Sequence, residues 1–133
     1  MRTFIDVIRK RPINLLLIIF VCICYEVNNK FLKNNTEGLL NHFLICYFND
    51  LLCPLLLLSY CNMLLLTKEK ELNRLIYIIG FIFLAGLIWE FVAPLIKTSS
   101  VCDVIDLLCY VIGGVFYWAL LKIYTRSIKY DRN

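Results

Sequence analysis

Residues Trp89–Gly114 read W-E-F-V-A-P-L-I-K-T-S-S-V-C-D-V-I-D-L-L-C-Y-V-I-G-G. An apolar helix brings one acid, Glu90, to its end at Pro94. A short loop, Lys97 to Ser100, follows, and the next apolar helix opens with Asp103 and Asp106. Three carboxylates therefore surround one turn between two apolar segments. Carboxylates near lipid are costly, so they face protein, water or a ligand and are functional candidates by default.

The rest of the chain extends this pattern. The 133 residues are 61% hydrophobic, with a mean hydropathy of +0.75. Long apolar runs at this density mark a membrane protein, expected here as a single all-α domain spanning 1–133. The net charge is +4, but no basic and aromatic stripe lies outside the apolar runs, so nucleic acid is not an expected partner and membrane lipid is. The seven cysteines lie mostly in apolar runs, without Cys-x-x-Cys pairs or Cys/His metal spacing, and read as small packing residues; near an outer loop, Cys102 could in principle pair with Cys46 or Cys53.

Four transmembrane helices are predicted, at about 13–27, 49–66, 72–92 and 103–124, with a short interfacial helix at 38–48 before the second. The first follows Arg2, Arg9, Lys10 and Arg11 and ends in C-Y-E-V-N-N, with no small-x-small cleavage site, so it reads as a retained span rather than a signal peptide. It is short, and a turn from Phe4 to Ile8 could extend it across Pro12. Residues 28–38 read as a polar loop. Asn49 reads as the N-cap of the second span, with Asp50 in its first turn and Pro54 near its start, where a missing N–H does least harm. Thr67 to Asn73 is a charged turn, and Pro94 ends the third span.

Eleven of the 14 Lys and Arg residues fall on the side of the two termini; Lys30, Lys33 and Lys97 fall on the other. The positive-inside rule then predicts a multi-pass protein of the cell (inner) membrane with both termini cytoplasmic. That topology gathers Asp50, Glu90, Asp103 and Asp106 at one outer level of the bilayer, with His42 and Asn49 on the same side. Asp103, Asp106, Tyr110, Gly113 and Tyr117 recur at intervals of three and four, along one helix face. Gly113 and Gly114 allow a neighbouring helix to approach closely, so this face is expected to point into the bundle. Several carboxylates in a partly dry site need a cation among them or a shared proton. Oxygen-rich clusters suit hard cations such as magnesium, with Asp50, Glu90 and Asp106 as candidate ligands and His42 as a switchable charge.

At these residues the sequence resembles the VanZ-like family of small bacterial membrane proteins. The counterparts of its motifs are His42 with Phe43 and Tyr47, then Glu90, then D-V-I-D-L-L-C-Y-V-I-G-G; Tyr110 stands where that family usually has Asn. A group of short four-span bacterial proteins is more similar still, through N-D-L-L-C-P (Asn49–Pro54), W-E-F-V-A-P (Trp89–Pro94) and Asp103 to Gly113. Its members often carry the name magnesium citrate secondary transporter. The VanZ-like resemblance implies a link to glycopeptide (teicoplanin) resistance or envelope biology, without settled chemistry.

Three functions compete. The first is a non-enzymatic envelope protein whose outward acidic pocket binds a cation, an envelope lipid or a cell-wall precursor. The second is a small ion or magnesium-citrate-type transporter; four short helices lack the inverted repeats and broken midplane helices expected of one, so it would act only as a homo-oligomer. The third is a membrane enzyme on a lipid-linked substrate, for which the chain shows no nucleophile elbow and no P-loop. No catalytic residue is assigned from the sequence.

Overall fold

A computed structural model describes residues 4–96 and 104–130. Among the described residues every regular element is helical. α1 (Phe4–Lys10) is followed by α2 (Pro12–Val27), which continues through one π turn (Asn28–Leu32) into α3 (Lys33–Asn35). α4 (Gly38–Cys46), α5 (Phe48–Thr67), α6 (Leu75–Ile96) and α7 (Val104–Tyr130) complete the chain. Three helical runs are long and apolar enough to cross a membrane: Pro12–Asn35 (24 residues), Gly38–Thr67 (30 residues) and Ile105–Ser127 (23 residues). The protein is thus a helical membrane protein. α6 contributes a shorter apolar stretch, Leu75–Glu90.

Arg11 separates α1 from α2 with a non-helical backbone (φ −141°, ψ 69°), and Pro12 opens α2 at a position where its missing N–H is not needed. On α2 the buried residues are Asn14, Leu17, Val21 and, in the π turn, Asn28. Their spacing of three, four and seven marks one face. The opposite face exposes Leu16, Ile19, Phe20 and Ile23. A helix that is apolar even where it is exposed belongs in lipid.

α5 is the central helix. It packs against α2 on one side and α7 on the other, and α7 packs in turn against α6. Leu17 and Val21, Leu52, Leu55 and Leu58, Ile78 and Ile82, and Tyr110, Tyr117 and Leu121 form the common core. Glycines set the closest approaches. A Cβ on Gly113 would lie 2.5 Å from the Leu51 carbonyl oxygen and 3.0 Å from Pro54 Cγ, so α7 meets α5 there at backbone distance. A Cβ on Gly86 would lie 2.9 Å from Leu107 Cδ1 and 3.2 Å from the Tyr110 ring, which seats α6 on α7. Gly114 faces α6 more loosely, 3.5 Å from Ile82 Cγ1.

Several expected boundaries are corrected. Residues 28–35 are helical, not a polar loop. The Asn28 amide is buried and donates to the Leu44 carbonyl (3.0 Å) and to Asn49 Oδ1 (3.2 Å), so the first helix carries on into the structure beyond it. Asn34, Asn35 and Thr36 each bond a carbonyl four residues back, and the helix stops only where Thr36 turns extended. Asn49 is not an N-cap: α5 begins at Phe48, and α4 runs into it through Tyr47 alone, with Tyr47 N–H bonded to Phe43 and Leu51 N–H bonded to Tyr47. α6 starts at Leu75 rather than Leu72 and continues two residues past Pro94 to Ile96. α7 reaches Tyr130, six residues beyond the expected end. The charged turn does form. Glu69 adopts φ 60° just after α5, where glycine is the usual residue.

Candidate functional site

Asp50 sits in the first turn of α5, and Tyr110 near the start of α7. The Tyr110 hydroxyl donates to Asp50 Oδ1 at 3.3 Å. Glu90, half-buried late on α6, lies within electrostatic reach of both. Asp106 is half-buried one turn before Tyr110 on α7. Asp50 on α5 and Tyr110 on α7 are thus joined directly, with Glu90 of α6 near enough to act on both electrostatically. Asn49, beside Asp50, is held by Asn28. Asp103 and Cys102 lie outside the described residues.

His42 does not join them. It is exposed on α4, its Nδ1 stands 3.8 Å from Cys46 Sγ, and its ring packs edge-on against Tyr47. Nor do Asp50, Glu90 and Asp106 form a metal-ligand set: among the described residues no three His, Cys, Asp or Glu side chains are placed to hold a metal ion. Cys46 and Cys53 are free thiols.

Two prolines give the site a further character. Pro54 lies four residues after Asp50, and Pro94 four residues after Glu90. A proline within a helix has no N–H to give the carbonyl four residues back. The Asp50 and Glu90 carbonyls are therefore each denied their regular helical donor. Both acids bring a backbone acceptor as well as a carboxylate, and the site is rich in acceptors.

An apolar groove lies beside these acids without being lined by them. It measures about 490 Å³ and lies between α5 and α6, with Tyr110 and Gly86 at its floor. Cys53, Leu57 and Tyr60 form one wall, Trp89 and Ile82 the other. Cys53 and Trp89 stand at the acidic end, one turn after Asp50 and next to Glu90; Tyr60 and Ile82 stand further in. From Cys53 to Tyr60 the wall rises about 10 Å at the helical rise per residue. A second cavity of about 350 Å³ between α2 and α5 shares Cys53 and Leu56 with it and is edged by Glu26 and Asn49. Glu26 is paired with Lys30 at 2.6 Å. It belongs to the same level as Asp50 and was not anticipated from the sequence, where it reads only as the end of a run.

A second polar layer was also missed. Tyr117 is fully buried on α7. Its hydroxyl accepts from Asn62 Nδ2 at 2.6 Å and donates to Asn14 Oδ1 at 2.9 Å, joining α5, α7 and α2. Asn62 also bridges both backbone groups of Leu72, donating to its carbonyl (3.0 Å) and accepting from its N–H (2.7 Å). The sequence signal was present: Asn14 and Asn62 are lone amides in apolar runs, and a buried amide in lipid needs partners.

No family model, curated protein or solved structure matches this chain.

Proposed function

We propose that the protein is a four-span, VanZ-like membrane protein of the cell envelope that binds a cationic amphiphile at its outer face. The apolar chain of the ligand lies in the groove between α5 and α6, and its positively charged head meets Asp50 and Glu90. The observation that carries this reading is the continuity of the two parts. A groove walled by apolar side chains has Cys53, Trp89 and Tyr110 at one end, and these are the neighbours of Asp50 and Glu90, two carboxylates suited to positive charge. Trp89 and Tyr110 stand at the same end, and aromatic faces attract quaternary ammonium groups.

In this reading α6 is the fourth span, the termini are cytoplasmic, and the acid layer faces outward. The Lys/Arg bias supports that orientation. The VanZ-like resemblance, carried by Glu90, Asp106 and Gly113, supports an envelope role. A chain retaining Cys102 as its sole cysteine should label with a membrane-impermeant maleimide added to intact cells. Labelling only after permeabilisation would place the acid layer on the cytoplasmic side.

Thermal stability tests the ligand class. Dodecyltrimethylammonium, added to the protein in dodecyl maltoside micelles, should raise Tm. Asp50→Asn, which keeps the shape and removes the charge, should cut the apparent affinity about tenfold, the equivalent of about 1.4 kcal/mol. An equal response in wild type and Asp50→Asn would reject the head-group assignment.

A further inference from the structure

At the end of the molecule opposite the groove, a polar cavity of about 360 Å³ opens between the start of α2, the connection into α6 and the last turns of α7. Arg11, Arg74 and Lys122 line it, with Glu71, Trp118 and Thr125. Arg11 is fixed from two elements. Its Nη1 donates to Thr125 Oγ1 at 3.0 Å and its Nη2 to Glu71 Oε2 at 3.2 Å, and Thr125 Oγ1 itself donates to the Leu121 carbonyl at 2.8 Å. Glu71 therefore offsets the charge of Arg11. The charge of Arg74 and Lys122 remains in excess. Both are exposed, with Arg74 Cζ 5.9 Å from the Tyr77 ring centroid and Lys122 Nζ 5.7 Å from that of Trp118.

The geometry points to a binding site for the phosphodiester head of an anionic phospholipid. The lining holds three cations and one carboxylate, so an anion is the complementary ligand. Guanidinium and ammonium groups make strong charge-assisted bonds to phosphate oxygens. The cavity lies where the apolar helices end, the level of lipid headgroups, and basic pockets between spans on the cytoplasmic side take anionic heads. Leu75, Leu121 and Trp118 complete its wall. An apolar wall suits a ligand that carries an acyl chain and offers nothing to free phosphate. Trp118, with Lys122 over its ring, is the kind of aromatic that anchors a helix at the interface. The site shares no residue with the groove of the proposed function and rests on that reading only for its cytoplasmic orientation.

Fluorescence of the full chain tests it. The protein has two tryptophans, so Trp89→Phe leaves Trp118 as the sole reporter. In dodecyl maltoside micelles, phosphatidylglycerol brominated near the top of its acyl chains should quench Trp118 at about threefold lower concentration than phosphatidylcholine carrying the same bromines. The preference should shrink as salt is raised, because the screening length falls to about 3 Å at 1 M. Arg74→Gln with Lys122→Gln should erase it, and Arg74→Lys with Lys122→Arg should restore it. Should the neutral pair fail to fold, the salt titration on Trp89→Phe alone decides. Equal quenching by the two lipids, or a preference unmoved by salt, would overturn the site. Full displacement of the lipid by millimolar inorganic phosphate would overturn its assignment to a lipid.

Discussion

Gly113→Val is expected to lower stability by about 3 kcal/mol, at the upper end of overpacking costs. Its Cβ position is already 2.5 Å from a backbone oxygen, that of Leu51, and 3.0 Å from the Pro54 ring. Neither neighbour is the far end of a flexible side chain. Pro54 is rigid and buried inside α5, and a carbonyl moves only with its helix. The two helices would have to separate along the face that carries Tyr110 and Tyr117, so the Tyr110–Asp50 bond should weaken as well. The measurement is unfolding of the detergent-solubilised protein by titration with a denaturing detergent. Gly114→Ala is the control: its nearest neighbour is 3.5 Å away, ordinary contact distance, and its effect should stay within about 0.5 kcal/mol. Equal effects at the two glycines would contradict the packing of α7 between α5 and α6.

Asn62→Leu is expected to cost about 2–3 kcal/mol, because one side chain satisfies three other groups. The substitution leaves the Leu72 N–H and carbonyl without their partner and takes one of two bonds from the Tyr117 hydroxyl. Leu72 is only half-buried, so water can replace part of what its backbone loses. Tyr117→Phe removes bonds to Asn62 and Asn14 but leaves the connection at Leu72 intact, and about 1 kcal/mol is expected, in line with polar contacts between membrane helices. The same denaturing titration orders the two. A larger loss for Tyr117→Phe would mean that the hydroxyl, not the Leu72 bridge, dominates this layer.

The helical class was legible because each apolar run is long and its charges are confined to its ends. The face of α7 was legible because Tyr110, Gly113 and Tyr117 keep helical spacing, and all three are buried. The boundaries were less so, and each miss has a cause. Residues 28–35 have a loop composition, yet Asn28 turns inward to α4 and α5, a long-range choice that local propensity cannot register. Asn49 has the chemistry of an N-cap, but it lies inside α5, one residue after Phe48, because α4 leads into α5 through Tyr47 alone. Pro94 withholds an N–H from Glu90 without stopping the last turn of α6, since a proline costs one bond before it costs the helix's path.

Within the candidate site, topology pointed to Asp50 and Glu90 and helical spacing to Tyr110, while the surroundings of His42 needed the structure. Topology sets the side of the membrane, not the surroundings of a side chain, and His42 is exposed on α4 beside Cys46 and Tyr47. Asn28, Asn62 and Tyr117 needed the tertiary structure, because their importance lies in partners 16 to 103 residues away. The groove was not legible at all. It exists because α6 rests on α7 at Gly86, which leaves space between α5 and α6.

The occupancy of that groove is most directly measured through Trp89, which lines it. With Trp118→Phe, Trp89 is the sole tryptophan, and its emission can be followed while dodecyltrimethylammonium is titrated into the protein in dodecyl maltoside micelles. Binding in the groove should give a saturable change in Trp89 emission, about tenfold weaker in affinity in Asp50→Asn and absent with tetramethylammonium, which has the head but no chain. A change of the same size and midpoint in Asp50→Asn, or one reproduced by tetramethylammonium, would contradict it.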